Sequence, residues 1–435
     1  MRIKIDFKIE YIAEFKLKLL KWAGFFEVSV YLDNNNYGNN SLGLHYNSFD
    51  CIVACGKQSE LQSESDSFEN LKNFYNEKKD WLFGHLSFDL KNQIENLQSN
   101  NFDGIQFPEL YFFQPKYVIT LSKNIATIHV FNNDDADKIF NEINFQIIVN
   151  QANNKVNFKA RISKHEYIDK INTIKHHIQR GDIYELNFCQ DFYSENSELN
   201  PVETFNCLNK ISPTPFSCFY RNYDKYLLCA SPERFLKKIG NKVISQPIKG
   251  TIKRGKNDEE DKLFAEYLKN NSKERSENIM ITDLVRNDLS KTANRKSVRV
   301  EELCEVYTFN QVHQLISTIS SEVSESVHLV DIIKSCFPMG SMTGAPKIRA
   351  MELIEEFEEF KRGLFSGSVG YITPDGDFDF NVVIRSILYN NTQKYISYMV
   401  GGAITINSDA ENEYEECMIK AKAIIEVFSV NKKAD

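Results

Sequence analysis

A chain of 435 residues, 42% hydrophobic, 26% charged and 12% aromatic, has the composition of a folded protein with a sizeable core. Its net charge of -8 speaks against binding a phosphate backbone, and it has no apolar run of the roughly eighteen residues that a membrane-spanning helix requires. The N-terminal segment MRIKIDFKIEYIAEFKLKLL carries charges throughout and offers no small-residue cleavage site, so no signal peptide is expected. The nine cysteines (Cys51, Cys55, Cys189, Cys207, Cys218, Cys229, Cys304, Cys336 and Cys417) are odd in number and form no C-x-x-C pair. They are expected to be reduced and partly buried in a cytoplasmic protein.

In chain order, residues 1–150 read as a β-rich part of the fold and residues 151–435 as the part that carries the chemistry. Phe26–Leu32, Cys51–Cys55, Trp81–Leu86 and Tyr117–Phe131 are β-branched or aromatic runs between polar stretches such as Asn34–Asn36 and Ser59–Ser67, and read as strands. A further strand region is expected over Phe145–Phe158, broken near Asn153. Ser163 with Glu166 makes a capping box for a helix to about Arg180, which Gly181 ends. A second helix starts near Pro201. Strands are expected at Ile183–Phe192, Ser217–Tyr220, Tyr226–Ala230, Phe235–Ile239 and Val243–Pro247. One long helix should span about Asp258 to Leu289, with others at Leu329–Cys336, Pro346–Phe357 and Ala410–Phe428. Strands Ser366–Ile372, Asp379–Tyr389 and Ile396–Ile404 fall between the last two. Strands grouped between helices, without strict βαβ alternation, predict an α+β fold with antiparallel sheets.

Several residue groups could carry chemistry. In Pro247-Ile248-Lys249-Gly250-Thr251, glycine lets a ligand approach the backbone and a buried lysine would lose its proton easily, becoming a nucleophile or base. Alone, the pentapeptide is more often a surface lysine beside a turn. Glu277, Ile281 and Leu284 share one helical stripe, so Glu277 is either an edge-of-core carboxylate or one aimed at a site. In the last helix Cys417, Ala421, Ile424, Ile425 and Phe428 form an apolar stripe beside Glu413, Glu416 and Lys420. Glu416 and Lys420 are either a plain i,i+4 pair or a metal carboxylate beside an anion-binding cation. Two glutamates from two helices suit Mg²⁺, a hard cation that keeps waters. Phe337–Lys347 is a glycine-containing loop into a helix, whose amides and Ser341 and Thr343 hydroxyls suit a carboxylate or phosphate. Val400-Gly401-Gly402-Ala403 reads as a strand where backbone approaches something closely. Arg385 is a charge in an otherwise apolar strand, either paired in the core or offered to a carboxylate.

Together and in order, these strings resemble the chorismate-utilising enzymes: anthranilate synthase component I, aminodeoxychorismate synthase component I, isochorismate synthase and salicylate synthase. The matching segments are GDIYELNFCQ (181–190), SPERF (231–235), PIKGT (247–251), SENIMITDLVRNDL (276–289), FPMGSMTGAPKIRAME (337–352), SGSVGY (366–371), VVIRS (382–386), VGGAI (400–404) and EYEECMIKAKAI (413–424). WLFGHLSFDL (81–90) is a looser match in the first half. The resemblance implies a four-layer α/β/β/α sandwich with two large, orthogonally packed antiparallel sheets. It implies Mg²⁺ carboxylates at Glu277 and Glu416, and substrate contacts at Gly250, Thr251, Ser341, Arg385, Gly401, Gly402 and Lys420. Glu233 would be the general acid for the departing ring hydroxyl.

Lys249 selects the branch. PIKGT with lysine is similar to the aminodeoxychorismate enzymes, where the lysine adds at ring C2 as the C4 hydroxyl leaves and ammonia then displaces it at C4. Anthranilate synthases usually have alanine there. Isochorismate and salicylate synthases place a water-activating lysine where this chain has Glu185. The resemblance therefore implies a transferase making 4-amino-4-deoxychorismate for 4-aminobenzoate and folate, with ammonia from a separate glutamine amidotransferase subunit. No Gly-x-Cys-x-Gly nucleophile turn is present to make a glutaminase of its own. The alternatives are anthranilate synthase component I and a non-catalytic chorismate-binding regulator. Two positions depart from the pattern: Gln314 stands where a histidine is common, with His313 one step earlier, and Phe365 replaces a substrate-contacting tyrosine. Adjacent strand residues face opposite sides, so His313 should not substitute for it.

Overall fold

Along the strand Val28–Asp33, Val28 and Val30 enter one apolar core while Tyr31 enters another. The same alternation divides Ile52 and Ala54 from Cys51, Val53 and Cys55, and Leu227 and Cys229 from Leu228 and Ala230. Successive strand side chains point to opposite faces, so this sheet is buried on both. In the computed structural model, which describes residues 2–37, 46–131, 135–148, 156–310 and 312–429, every pairing between strands is antiparallel.

One half of the sheet runs in space from Glu185–Ser194 through Tyr395–Ile404, Ser386–Asn390, Lys225–Ser231 and Phe216–Asn222 to Val28–Asp33 and Cys51–Ser63. The other runs from Leu82–Leu86 through Ser368–Ile372, Phe378–Asn381, Arg234–Ile239 and Lys242–Gln246 to Val312–Glu322, which also pairs with Ile248–Lys253 and Arg299–Thr308. The strand Leu110–Ser122 pairs with both Cys51–Ser63 and Leu82–Leu86 and so joins the halves. Inner residues of both halves, among them Val30, Tyr220, Phe235 and Phe380, share one core. The outer face of the first half is covered by helices including Lys164–Arg180, Pro201–Ile211 and Ala410–Val427. The α+β class with layered antiparallel sheet therefore holds.

The helix Lys164–Arg180 has the expected capping box, and Gly181 closes it at φ 84°. Other expectations need correction. Tyr117–Phe131 is not one strand: Ser122 ends the first and Ile125–Val130 returns, with Lys123 left-handed at φ 54° in the turn. Polar Ser59–Ser67 is not a break, because the strand continues to Ser63 with its side chains partly in solvent. Phe145 follows a helix, Ala136–Asn144, whose Ala136, Ile139 and Ile143 are buried at helical spacing. Phe145 itself is exposed, and no strand of the described residues starts there; the break at Asn153 and the division at residue 150 lie outside the described residues. The long helix from Asp258 is two, Asp258–Asn270 and Ser272–Ser290, because Asn271 accepts hydrogen bonds from Lys273 N and Glu274 N and caps the second. Asp379–Tyr389 is likewise two strands, Phe378–Asn381 and Ser386–Asn390. In the last helix Val427, not Ile425 or Phe428, completes the buried stripe. All nine cysteines are free thiols, eight of them buried. No helix of the described residues is long and apolar enough to cross a membrane.

Candidate active site

The floor of the site is the pairing of Tyr395–Ile404 with Glu185–Ser194. A Cβ on Gly401 would lie 2.4 Å from Phe188 O and from Cys189 Sγ, so only glycine lets these strands close. A Cβ on Gly402 would meet Glu413 Oε2 at 3.1 Å, at the foot of the helix Ala410–Val427. Beneath the floor lies an ion pair that the sequence did not reveal. Arg362 donates to Glu358 through Nε (2.8 Å) and Nη2 (2.6 Å), and to the carbonyls of Met342 and Asn187, while Glu358 Oε1 accepts from Cys189 N at 2.9 Å. Both side chains are 1% exposed. Arg362→Met strands a buried carboxylate and is expected to cost about 3–5 kcal/mol in unfolding free energy, read from denaturant melts. Burial already pushes the Glu358 carboxyl up, so the loss should grow with pH, and adding Glu358→Gln should return part of it.

Above the floor, one cleft of about 910 Å³ is lined by Lys249 and by all ten residues to which the family resemblance gives a metal, acid or substrate role, but not by Thr343. The strand Ile248–Lys253 brings Lys249, Gly250 and Thr251 to it. Gly250 sits at φ 93°, where a side chain would also press on Glu274 Oε2 at 3.0 Å. Ser341 comes from the short 3-10 turn Gly340–Met342 and donates to Glu233 Oε1 at 2.6 Å. Thr343, expected beside it, instead donates to Met339 O and Gly340 O and holds its own loop. Arg385 lies in no strand. It is left-handed at φ 51° in the gap after Val382–Ile384, and its guanidinium has no hydrogen bond or ion pair among the described residues. Burial pulls this guanidinium down to about 10, with Glu233 opposing.

Acidic groups enter from two helices in matched pairs: Glu274 and Glu277 on Ser272–Ser290, Glu413 and Glu416 on Ala410–Val427. Each pair is spaced i,i+3 and so shares a face. Glu274 was missed from sequence, although this spacing was the available signal. Glu277 is pushed up to about 7 by burial and by Glu185 and Glu274, although Lys249 opposes this. Its Oε1 has no hydrogen-bond partner among the described residues. Lys273 lies 3.5 Å from Glu413 and 3.9 Å from Glu277, and Lys420 Nζ lies 2.8 Å from Glu416 and donates to Gly401 O at 2.8 Å. So the plain i,i+4 pair and the cleft position of Glu416 and Lys420 coexist. Among the described residues no three His, Cys, Asp or Glu groups converge as a complete ligand set. Crowded carboxylates with an orphaned oxygen fit a divalent cation that takes few protein ligands.

Lys249 departs from expectation. Burial alone would lower it, but Glu185, 2.9 Å from Nζ, and Glu277 together raise it above its ordinary value. It stands in the cleft as an ammonium. Glu233, 4% exposed, is raised to about 7 by burial, against Ser341, Lys249 and Arg385. Gln314 faces the cleft and donates to Thr251 Oγ1 at 3.2 Å, and Phe365 lines the wall. His313 points away, 2.9 Å from Asp261 Oδ1 and from Thr308 Oγ1, as strand alternation requires.

The model of the chorismate binding enzymes matches residues 29–426, nearly the whole chain. The chain belongs to the chorismate binding enzyme family. It is 33% identical to aminodeoxychorismate synthase component 1 of Salmonella typhimurium over 79% of this chain and 75% of that one. It is 38% identical to a rice protein (Oryza sativa subsp. japonica), "Probable aminodeoxychorismate synthase, chloroplastic", over 63% of this chain, and spans only 31% of that relative's length. The crystal structure of anthranilate synthase component I from Streptococcus pneumoniae superposes with a TM-score of 0.74 at 26% identity, covering 85% of this chain and 91% of that one. The resemblance read from the motifs thus stands, and with it the fold class and the expectation of an enzyme.

Proposed function

We propose that this chorismate binding enzyme aminates chorismate at C4 with ammonia, giving 4-amino-4-deoxychorismate for 4-aminobenzoate and folate synthesis. The observation that carries this reading is Lys249. Its amine enters the same cleft as a carboxyl poised near neutrality, Glu233, and an unpaired guanidinium, Arg385. Relatives on two branches of the family share the fold, so the branch is argued from the residue at this position.

In this reading Arg385, Lys420, Ser341 and the amides around Gly250, Thr251, Gly401 and Gly402 hold the two carboxylates of chorismate. Arg385 has no partner among the described residues to give up, and its planar fork matches a carboxylate. Glu277 and Glu416 would hold Mg²⁺, which supplies positive charge to a substrate carboxylate that those glutamates would otherwise repel. Lys249 adds at C2 while Glu233 gives its proton to the C4 hydroxyl, which leaves as water. Ammonia then bonds to C4, and the electron pair of the C2–N bond returns to Lys249. A separate glutamine amidotransferase subunit delivers the ammonia, in keeping with the "component 1" name of the Salmonella relative.

The test is product identification. Purified protein with chorismate, Mg²⁺ and ammonium should give 4-amino-4-deoxychorismate, trapped as 4-aminobenzoate by an added lyase; anthranilate in its place would move the chain to the other branch. Consumption of no chorismate despite its binding would favour the regulator. Arg385→Gln should lower kcat/KM for chorismate about ten- to a hundredfold, the loss of a charge-assisted hydrogen bond of about 1.5–3 kcal/mol.

A further inference from the structure

Glu185 opens the strand Glu185–Ser194, and its side chain is 1% exposed. Its Oε1 lies 2.9 Å from Lys249 Nζ, and no other carboxylate among the described residues comes within ion-pair distance of that ammonium. Neither Glu185 oxygen accepts a well-formed hydrogen bond from a described group, so the lysine is what compensates its charge. Lys249 has the complementary problem. An ammonium has no lone pair, so it cannot attack carbon until its proton has gone somewhere inside the cleft.

The other charged groups facing Lys249 are poor destinations. Glu233 has to give a proton away in the same step, and its Oε1 already accepts from Ser341. Glu277 lies beyond ion-pair distance and, in the reading above, faces Mg²⁺. Lys420 is a cation already tied to Glu416 and Gly401 O. Glu185 is in contact, carries the right charge and has no second donor to lose.

We propose that Glu185 is the proton acceptor that turns Lys249 from ammonium into attacking amine. The inference rests on the amination reading. The Nζ proton passes to Glu185, the freed lone pair bonds to C2, and the C4–O bond breaks as Glu233 protonates the leaving hydroxyl. Once ammonia has bonded to C4, Lys249 leaves as neutral amine and recovers its proton from Glu185. The new C4 ammonium returns one to Glu233. Every group is then as it began, and the sum is chorismate plus ammonia giving product plus water.

The proposal makes two readouts of Glu185→Gln move in opposite directions. Removing the carboxylate takes away the charge that stabilises the ammonium. The pH midpoint for modification of Lys249 by trinitrobenzenesulfonate, followed by peptide mass spectrometry without substrate, should therefore move down. Ammonia-dependent chorismate consumption should nevertheless fall about 10²–10⁴-fold, the usual contribution of a positioned base. Glu185→Asp keeps the carboxylate and should lose less, and it carries the comparison if the glutamine variant does not fold. Turnover that holds or rises as the lysine becomes more reactive would overturn the proposal, as would an unmoved midpoint. Wild-type product identity reports separately on the amination reading, and the modification arm needs no substrate at all.

Discussion

Lys249→Ala is expected to lower ammonia-dependent chorismate consumption by about three orders of magnitude or more while leaving chorismate affinity within about threefold. The asymmetry follows from position. The side chain is 10% exposed and meets Glu185, whereas the groups suited to holding carboxylates come from other elements: Arg385 after one strand, Lys420 on the last helix, Ser341 in a turn. Removing the amine therefore deletes the attacking atom and leaves the grip. Two measurements check this: steady-state turnover, and chorismate affinity by calorimetry with Mg²⁺. With ammonia withheld, wild type should also gain the mass of chorismate less water on the peptide holding Lys249, and the variant should not. Equal loss of affinity and turnover would make Lys249 a binding residue.

Glu233→Gln should cost about 10²–10⁴-fold in kcat, as removal of a proton donor does. The pH dependence sharpens the expectation. With its carboxyl raised to about 7, Glu233 is protonated below neutrality and ionised above it, and only the protonated form can donate. Wild-type kcat/KM should decline as pH rises through about 7, and the glutamine variant should lack that limb. Stability follows the same sign. A carboxyl whose folded value lies above its unfolded one contributes stability fully present below the ordinary carboxylate value and lost as pH rises through about 7. The Glu233→Gln protein should accordingly lose less thermal stability than wild type between pH 5 and pH 8, a comparison made by melting both at fixed ionic strength.

Much of the site was legible because its chemistry is concentrated in short strings. Local rules also found the helix Lys164–Arg180, whose ends are marked by Ser163, Glu166 and Gly181, and the helix Leu329–Cys336 to the residue. What stayed hidden depends on side-chain contacts that only the folded chain displays, some local and some between segments remote in sequence. Asn271 inside an otherwise helical run looks tolerable, and only its side-chain bonds to Lys273 N and Glu274 N show that it restarts the helix. The helix Ser67–Lys78 escaped although Asp66 and Glu69 have the spacing of a start signal, because they lie at the end of a polar run; in the structure Asp66 is left-handed and its side chain makes no cap bond. Burial alone would neutralise Lys249, and Glu185 reverses that from a strand far earlier in the chain. Arg362 and Glu358 look like ordinary helix-end charges until the strand carrying Asn187 and Cys189 closes over them.

The order of strands also bears on how the protein comes into being. Val28–Asp33 and Leu82–Leu86 have early partners in Cys51–Ser63 and Leu110–Ser122, but their second partners, Phe216–Asn222 and Ser368–Ile372, are translated much later. Closing such long loops is an entropic cost met before the non-local pairing rewards it, and folding of non-local antiparallel sheet is correspondingly slow. Glu185, Lys249, Arg385 and Lys420 sit on segments that converge only when those closures are complete. A nascent or half-folded chain would hold helices and hairpins but no working cleft, and its unpaired strand edges would be exposed to other chains meanwhile.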